Sequence, residues 1–290
     1  SKLVMAYIYR YKKKIISIVL SLSVSTSLII FASYYIRVED QQNKYMAELN
    51  KNELDYSISI QPNNNISDGF SEKDVRKLVS LKDSSGKPLI RKIEKINSLY
   101  SRMDLEKDKI NNIKYFNELG KLGYYKNVLK GVLTKNNDKY TLKLCAFGYD
   151  DKMIGELNKY TESGDVKNLK DNEVILYNPE IDKKPILNYK VGEKISISYP
   201  KGNSVDLEKY FNGSELDLDT KEFKVVAIVK VNTFADLFYV ANDSPQVIMT
   251  NKQFADAFHF DGYKTINIYK QHKGMSKENS YLDNQIYKTF

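Results

Sequence analysis

Residue types able to do chemistry are sparse in this 290-residue chain, and none falls at a catalytic spacing. The only histidines are His259 and His272. Phe258 and Phe260 flank the first, so its imidazole reads as a partly packed structural group rather than a base or a ligand. Cys145 is the single cysteine, which rules out an intramolecular disulfide. Its neighbours Leu142, Leu144 and Phe147 make it read as a small buried hydrophobe instead of a nucleophile. Asp150-Asp151 and Asp217-x-Asp219 carry oxygens of the kind a divalent cation takes, yet neither offers the roughly six to eight ligands of a Ca²⁺ loop, and both read as solvated acids. There is no G-x-x-x-x-G-K-[ST] to cradle ATP phosphates, no H-E-x-x-H, no C-x-x-C and no G-x-S-x-G. Twenty-three tyrosines offer contact area for a peptide or glycan, or simply fill a β-rich core. No catalytic residue, cofactor or metal is expected.

What the chain does have is a run of 22 residues, Ile15 to Ile36, without one charged side chain, directly behind Arg10, Lys12, Lys13 and Lys14. About 20 apolar residues at 1.5 Å rise cross a hydrocarbon core of about 30 Å, and clustered Lys and Arg keep their end cytoplasmic. A cleaved signal peptide has a shorter apolar core and a small-x-small exit, whereas the candidate exit here, Phe31-Ala32-Ser33, begins with a bulky ring. The expectation is an uncleaved anchor. Tyr7, Tyr9 and Tyr11 at one end and Tyr34 and Tyr35 at the other suit the headgroup level.

Seven of those 22 residues are Ser or Thr, and Ser17, Ser21 and Ser25 recur every fourth position on one helix face. Small hydroxyl residues let a second membrane helix approach closely and hydrogen-bond across. The same hydroxyls also bond back to the carbonyls of their own preceding turn. Both readings stand at this point, with helix packing through Ser17, Ser21 and Ser25 preferred.

The net charge is +8. Residues 1–50 hold seven Lys or Arg against three acids, half of that excess, and a surplus of four spread over the remaining 240 residues excludes a nucleic-acid partner. Composition leaves room for one span and an ordinary globular unit with a real core.

The organisation expected is a cytoplasmic basic amphipathic segment over 1–14, a transmembrane helix over 15–36, a polar helical stalk over 37–53 and an extracellular domain over 54–290. The stalk has no Pro or Gly and is polar nearly all round. Beyond it, Tyr56, Ile58 and Ile60 alternate with polar residues as a half-buried strand does. Ser71 with Asp74 forms a capping box ahead of Val75, Leu78 and Val79. Strands are expected over Lys92–Arg102, Val128–Thr134, Lys139–Phe147, Glu173–Tyr177, Lys194–Ile197, Phe223–Val231, Gln246–Met249 and Tyr263–Tyr269, with a hairpin turn at Asn136-Asn137-Asp138. Helices are expected from Asp104 to Leu119, Asp150 to Tyr160, Asn251 to Phe258 and from Ser276 onward. Thr161–Asn172 reads as a polar connection, and Pro200–Glu222 as a surface insertion with possible division into two lobes there. The fold class is α+β.

In this order the elements resemble the ABC-transporter permeases of the MacB/FtsX type. The phrases that carry the resemblance are Arg10-Tyr11-Lys12-Lys13-Lys14 before the serine-containing span and Phe70-Ser71-Glu72-Lys73-Asp74-Val75. Further on come Glu173-Val174-Ile175-Leu176, Tyr189-Lys190-Val191-Gly192-Glu193-Lys194-Ile195 and Phe223-Lys224-Val225-Val226-Ala227-Ile228-Val229. The resemblance implies an external domain of the MacB periplasmic-core type, a separate cytoplasmic ATPase as partner, and packing against further permease helices or a second permease copy. It implies an extracellular peptide, lipid, antibiotic or lipoprotein as ligand, or regulation of a cell-wall hydrolase. The family's three further spans do not follow Phe260, which reads as an N-terminal fragment or a reduced, single-span relative. The alternative function is a single-span anchored binding or scaffold module without an ATPase; a surface hydrolase would need clustered acids or a Ser–His pair in a cleft.

Overall fold

The computed structural model describes residues 3–7, 9–12, 14, 16, 21, 23–27, 57–60, 69–111, 113, 133–136, 138–181, 183–201, 217–232, 244–272 and 275–289. The chain divides into two units, Ser1–Asp55 and Tyr56–Phe290. Every described residue of the first is helical, and Leu3, Met5, Tyr7, Tyr9, Tyr11, Ile16 and Val24 are all exposed on it. Tyr7 and Tyr11 stack one turn apart, with ring centroids 6.2 Å from each other. Among the described residues no helix is long and apolar enough to cross a membrane. Most of the expected span and all of the stalk lie outside the described residues.

The second unit is a mixed α and β fold built on one large sheet. Its strands are β1 (Ser57–Ile60), β2 (Ile90–Glu106), β3 (Leu133–Asn136), β4 (Lys139–Tyr149), β5 (Thr161–Gly164), β6 (Glu173–Tyr177), β7 (Glu180–Ile181), β8 (Lys184–Pro185), β9 (Lys194–Pro200), β10 (Leu218–Val229), β11 (Gln246–Thr250) and β12 (Thr265–Lys270). The helices are α1 (Glu72–Val79), α2 (Asp151–Leu157), α3 (Asn251–Phe258) and α4 (Lys277–Thr289). Spatial order in the sheet is β1-β12-β2-β9-β10-β6-β11-β4-β3, with β5 on β10 and β7 with β8 as a separate ribbon. Because β2 also pairs antiparallel with β4 from Ile96 to Glu106, six strands close into a ring. Its weakest joint is β2 to β9, through the single pair Arg102 and Ser198.

Strand alternation distributes the apolar residues to two sides. Leu142, Leu144 and Ala146 of β4 join Leu99, Met103, Val174, Leu176, Val225 and Val247 in the first core, closed by Phe254 and Phe258 of α3. Cys145, Phe147 and Tyr149 point the other way, to Met153, Ile154 and Leu157 of α2. A third core joins Val75 and Leu78 of α1 to Ile266 and Ile268 of β12 and to Leu282 and Ile286 of α4. Two glycines are required by close approach. A Cβ on Gly148 would lie 2.8 Å from that of Phe254, where α3 rests on β4. At Gly164, with φ +83°, a Cβ would meet the Val226 carbonyl oxygen at 2.0 Å, so only glycine lets β5 pair there.

The capping box forms as the sequence requires: Asp74 N–H donates to Ser71 Oγ and Ser71 N–H to Asp74 Oδ2. Strand Glu173–Tyr177 and helix Asn251–Phe258 occupy the expected residues, and Asp150 caps α2. Elsewhere the structure corrects the reading. No helix starts at Asp104; β2 runs through Glu106 with Met103 and Leu105 buried at strand period, and a 3-10 turn covers Lys107–Lys109. The connection at Thr161 opens with a strand, β5. The expected insertion ends early, since Leu218–Glu222 is paired to β9. The hairpin of β3 and β4 forms, though residues 128–132 and Asn137 are outside the described ones.

Candidate functional site

Of the serine face, Ser21 and Ser25 are described and exposed, while Ser17 lies outside the described residues. Ser25 Oγ donates to the Ser21 carbonyl at 2.8 Å, the back-bond to the preceding turn. That bond leaves the face small and unobstructed, since a back-bonded serine still presents little bulk.

The chemistry-bearing residues that the sequence singled out in the second unit each have a distinct local setting. Burial pushes the Cys145 thiol up to about 12, so its thiolate is suppressed at neutral pH. His259 is exposed at the left-handed C-cap of α3, with φ 53°, which corrects the expectation of a packed imidazole: its flanking phenylalanines are buried but the ring is not. His272 Nε2 faces Asp83 Oδ2 at 3.7 Å. Asp83 Oδ1 meanwhile accepts from Ser85 N–H, Ser85 Oγ and Lys87 N–H, which hold its carboxyl below the usual range, the Ser85 hydroxyl most of all. Asp150 spends Oδ1 on Met153 N–H and Oδ2 on Lys95 N–H. Asp217 and Asp219 share Lys201, at 3.0 and 3.7 Å. Among the described residues no three His, Cys, Asp or Glu side chains gather as a metal centre.

Among the described residues the most deeply buried charge is Glu94, 1% exposed in the first third of β2. Its Oε1 meets Lys92 Nζ at 2.5 Å and its Oε2 accepts from Tyr269 Oη at 2.8 Å and Asn267 Nδ2 at 3.5 Å. Burial alone would lower the Lys92 ammonium, but Glu94 and then Glu156 outweigh it and raise it above its ordinary value. Burial, reinforced by the Glu94 charge, likewise raises the Tyr269 phenol. A second polar cluster, Asn97 with Asn251, ties β2 to α3: Asn97 Nδ2 donates to Asn251 Oδ1 and the Gly262 carbonyl, and Asn251 Nδ2 to the Lys95 carbonyl. These networks position β2, β12 and α3 against one another, although Asn267 Oδ1 is buried without a hydrogen-bond partner. One opening stands apart from them, a cleft of about 250 Å³ beside α3. No motif in the sequence groups its residues, which come from three separate segments.

In structure the chain is similar to the extracellular domain of the noncanonic ABC-type transporter YknZ from Gram-positive bacteria. Identity is 9%, coverage 81% of this chain and 96% of that one, and the TM-score 0.41. It is similar also to the periplasmic region of MacB from Actinobacillus actinomycetemcomitans, with 11% identity, 80% and 83% coverage and a TM-score of 0.39. No family model and no curated protein matches the sequence.

Proposed function

We propose that this chain is a permease subunit of a MacB/FtsX-type ABC transporter, or the N-terminal part of one. The 22-residue charge-free run directly behind four basic residues carries the proposal, because it reads as an anchor ahead of a large unit that holds its own cores. In this reading residues 15–36 cross the membrane, residues 1–14 face the cytoplasm, and residues 54–290 lie outside. With no phosphate-binding loop of its own, the chain takes its power stroke from a separate cytoplasmic ATPase and hands it to the outer domain, which handles a peptide, lipid, antibiotic or lipoprotein or regulates a cell-wall hydrolase. The exposed apolar helical surface of the first unit favours membrane contact.

The test is co-purification of the full chain with the ATPase encoded beside it, from the membrane fraction in detergent, for Ser21→Leu against Val19→Leu. If the face on Ser17, Ser21 and Ser25 packs on permease helices, the leucine at 21 wedges the backbones apart and recovery of the ATPase falls, while Val19→Leu leaves it intact. Equal recovery for both variants supports the single-span anchored module instead, and absence from the membrane fraction overturns both readings.

A further inference from the structure

The cleft beside α3 is polar, open and unclaimed by the protein's own bonds. Asp171 and Asn172 reach it from the loop ahead of β6, Lys221 and Phe223 from β10, and Gln253 and Asp256 from α3. Its walls are fixed. Asn172 holds a left-handed backbone, φ 63°, with its carbonyl accepting from Lys224 N–H at 2.8 Å. Gln253 Nε2 donates to the carbonyls of Lys170 and Glu173, and its Oε1 accepts from Thr250 N–H at 2.9 Å, so this buried amide is a spent structural wall.

The other polar side chains are in the opposite condition. Among the described residues, Asp171, Asn172 and Asp256 make no side-chain hydrogen bond or ion pair, and Lys221 has only the Phe223 ring, 5.8 Å from its Nζ. Several other charges on or beside β9 and β10 are paired: Lys194 with Glu222 at 2.6 Å, Lys201 with Asp217 at 3.0 Å, Lys230 with Glu180 at 2.7 Å. Two carboxylates, a carboxamide and an ammonium thus converge, unpaired, on one small hollow with a single buried ring at its floor.

Size and lining select the ligand. The volume suits one ring-sized molecule, and the polar walls reject an acyl chain, whose burial against carboxylates gains nothing. Two acids against one lysine disfavour an anion. A hydroxyl-bearing ring meets both needs, since each hydroxyl donates to a carboxylate while its oxygen accepts from an ammonium or amide. We propose that this cleft binds a single saccharide ring, neutral or amine-bearing, with Asp171 and Asp256 accepting from its hydroxyls and Lys221 and Asn172 donating to its ring or hydroxyl oxygens. The site stands independently of the transporter reading and would serve an anchored binding module equally well.

Saturation-transfer NMR and calorimetry on the full chain, in a detergent without a sugar headgroup, test it with N-acetylglucosamine and glucosamine, against cyclohexylamine and glucuronic acid. Saturable binding of the two sugars, in mutual competition and stronger than that of either control, is expected. Asp171→Ala and Asp256→Ala should each weaken it by about tenfold, the loss of a charge-assisted hydrogen bond, with Asp261→Ala unchanged and the melting temperature as a check on folding. The two variants lie on separate elements, so a fold defect in one leaves the other informative. Absence of saturable sugar binding overturns the proposal, as does sugar binding indifferent to both variants. Cyclohexylamine binding as tightly as glucosamine would make the cleft a cation site and overturn it as well.

Discussion

Lys92→Met removes the cation from the most buried carboxylate among the described residues while keeping the aliphatic stem. Glu94 is 1% exposed and Lys92 23% exposed at its side chain, so water cannot replace the lost partner from the Glu94 side and replaces it only partly from the other. Breaking a fully buried pair costs about 3–5 kcal/mol; the partial exposure of Lys92 brings the expected loss to about 2–3 kcal/mol. Tyr269 and Asn267 still donate to Oε2, which keeps the carboxylate in place but uncompensated. At roughly 2–4 °C per kcal/mol for a unit of this size, melting should fall by about 5–10 °C. The decisive comparison is Lys92→Met/Glu94→Gln, in which a neutral amide accepts the Tyr269 hydrogen bond with no charge to neutralise, and more than half the loss should return. Circular dichroism melts and urea titrations of the full chain in detergent measure all three. A Lys92→Met loss under about 0.5 kcal/mol, or a double variant no more stable than the single, would refute the assignment of Glu94 as a buried charge held by Lys92.

Two further outcomes follow from local geometry. Asp74→Ala should destabilise α1 by about 1 kcal/mol at neutral pH through loss of the capping box. Ser71's backbone N–H holds the Asp74 carboxyl below its ordinary value, so this stability is present above the unfolded carboxylate's pKa, about 3.9, and is lost as pH falls through the lower folded value; the wild-type and variant melting curves should converge on acidification, and a gap that stays constant to pH 2 would contradict the cap. The Cys145 thiol, raised by burial to about 12, should resist a thiol reagent in the folded protein and react only as fast as the second unit opens, so a rapid native reaction would contradict its burial against Phe147 and Tyr149.

Where the fold was legible, the signal was short-range. Ser71 with Asp74 is a cap whose donors and acceptors lie within three residues of each other, so sequence contains the whole interaction; Thr250 with Gln253 and Asp150 ahead of Met153 are equally local caps that the structure adds at the expected helix starts. Val174, Ile175 and Leu176 are buried with β11 on one side and β10 on the other, and such a strand reads as a continuous apolar run. The failure at Asp104 has the converse cause. Exposed Asp104 and Glu106 alternate with buried Met103 and Leu105, and the charged run Glu106-Lys107-Asp108-Lys109 has helix-favouring composition. What keeps the segment extended is its pairing with Thr141, Tyr140 and Lys139, about 35 residues away in the chain, and no local pattern records that. Leu218–Glu222 was missed for the same reason, being extended because β9 lies beside it.

The absence of catalytic motifs needed only residue types, whereas the cleft needed to know which charges are paired. Asp171, Lys221 and Asp256 are the same residue types as Asp217, Lys201 and Asp219. The second set neutralises itself because the β9–β10 ladder sets Pro200 opposite Leu218 and so brings Lys201 to Asp217. The first set lines a cleft from three separate elements, the loop ahead of β6, β10 and α3, so no strand register sets its carboxylates against its lysine. An exposed ion pair contributes little to stability, about 0–1 kcal/mol, so leaving these groups unpaired costs the fold almost nothing while keeping their hydrogen-bonding capacity available. A site of this kind can therefore sit on a scaffold without leaving any motif in the sequence that encodes it.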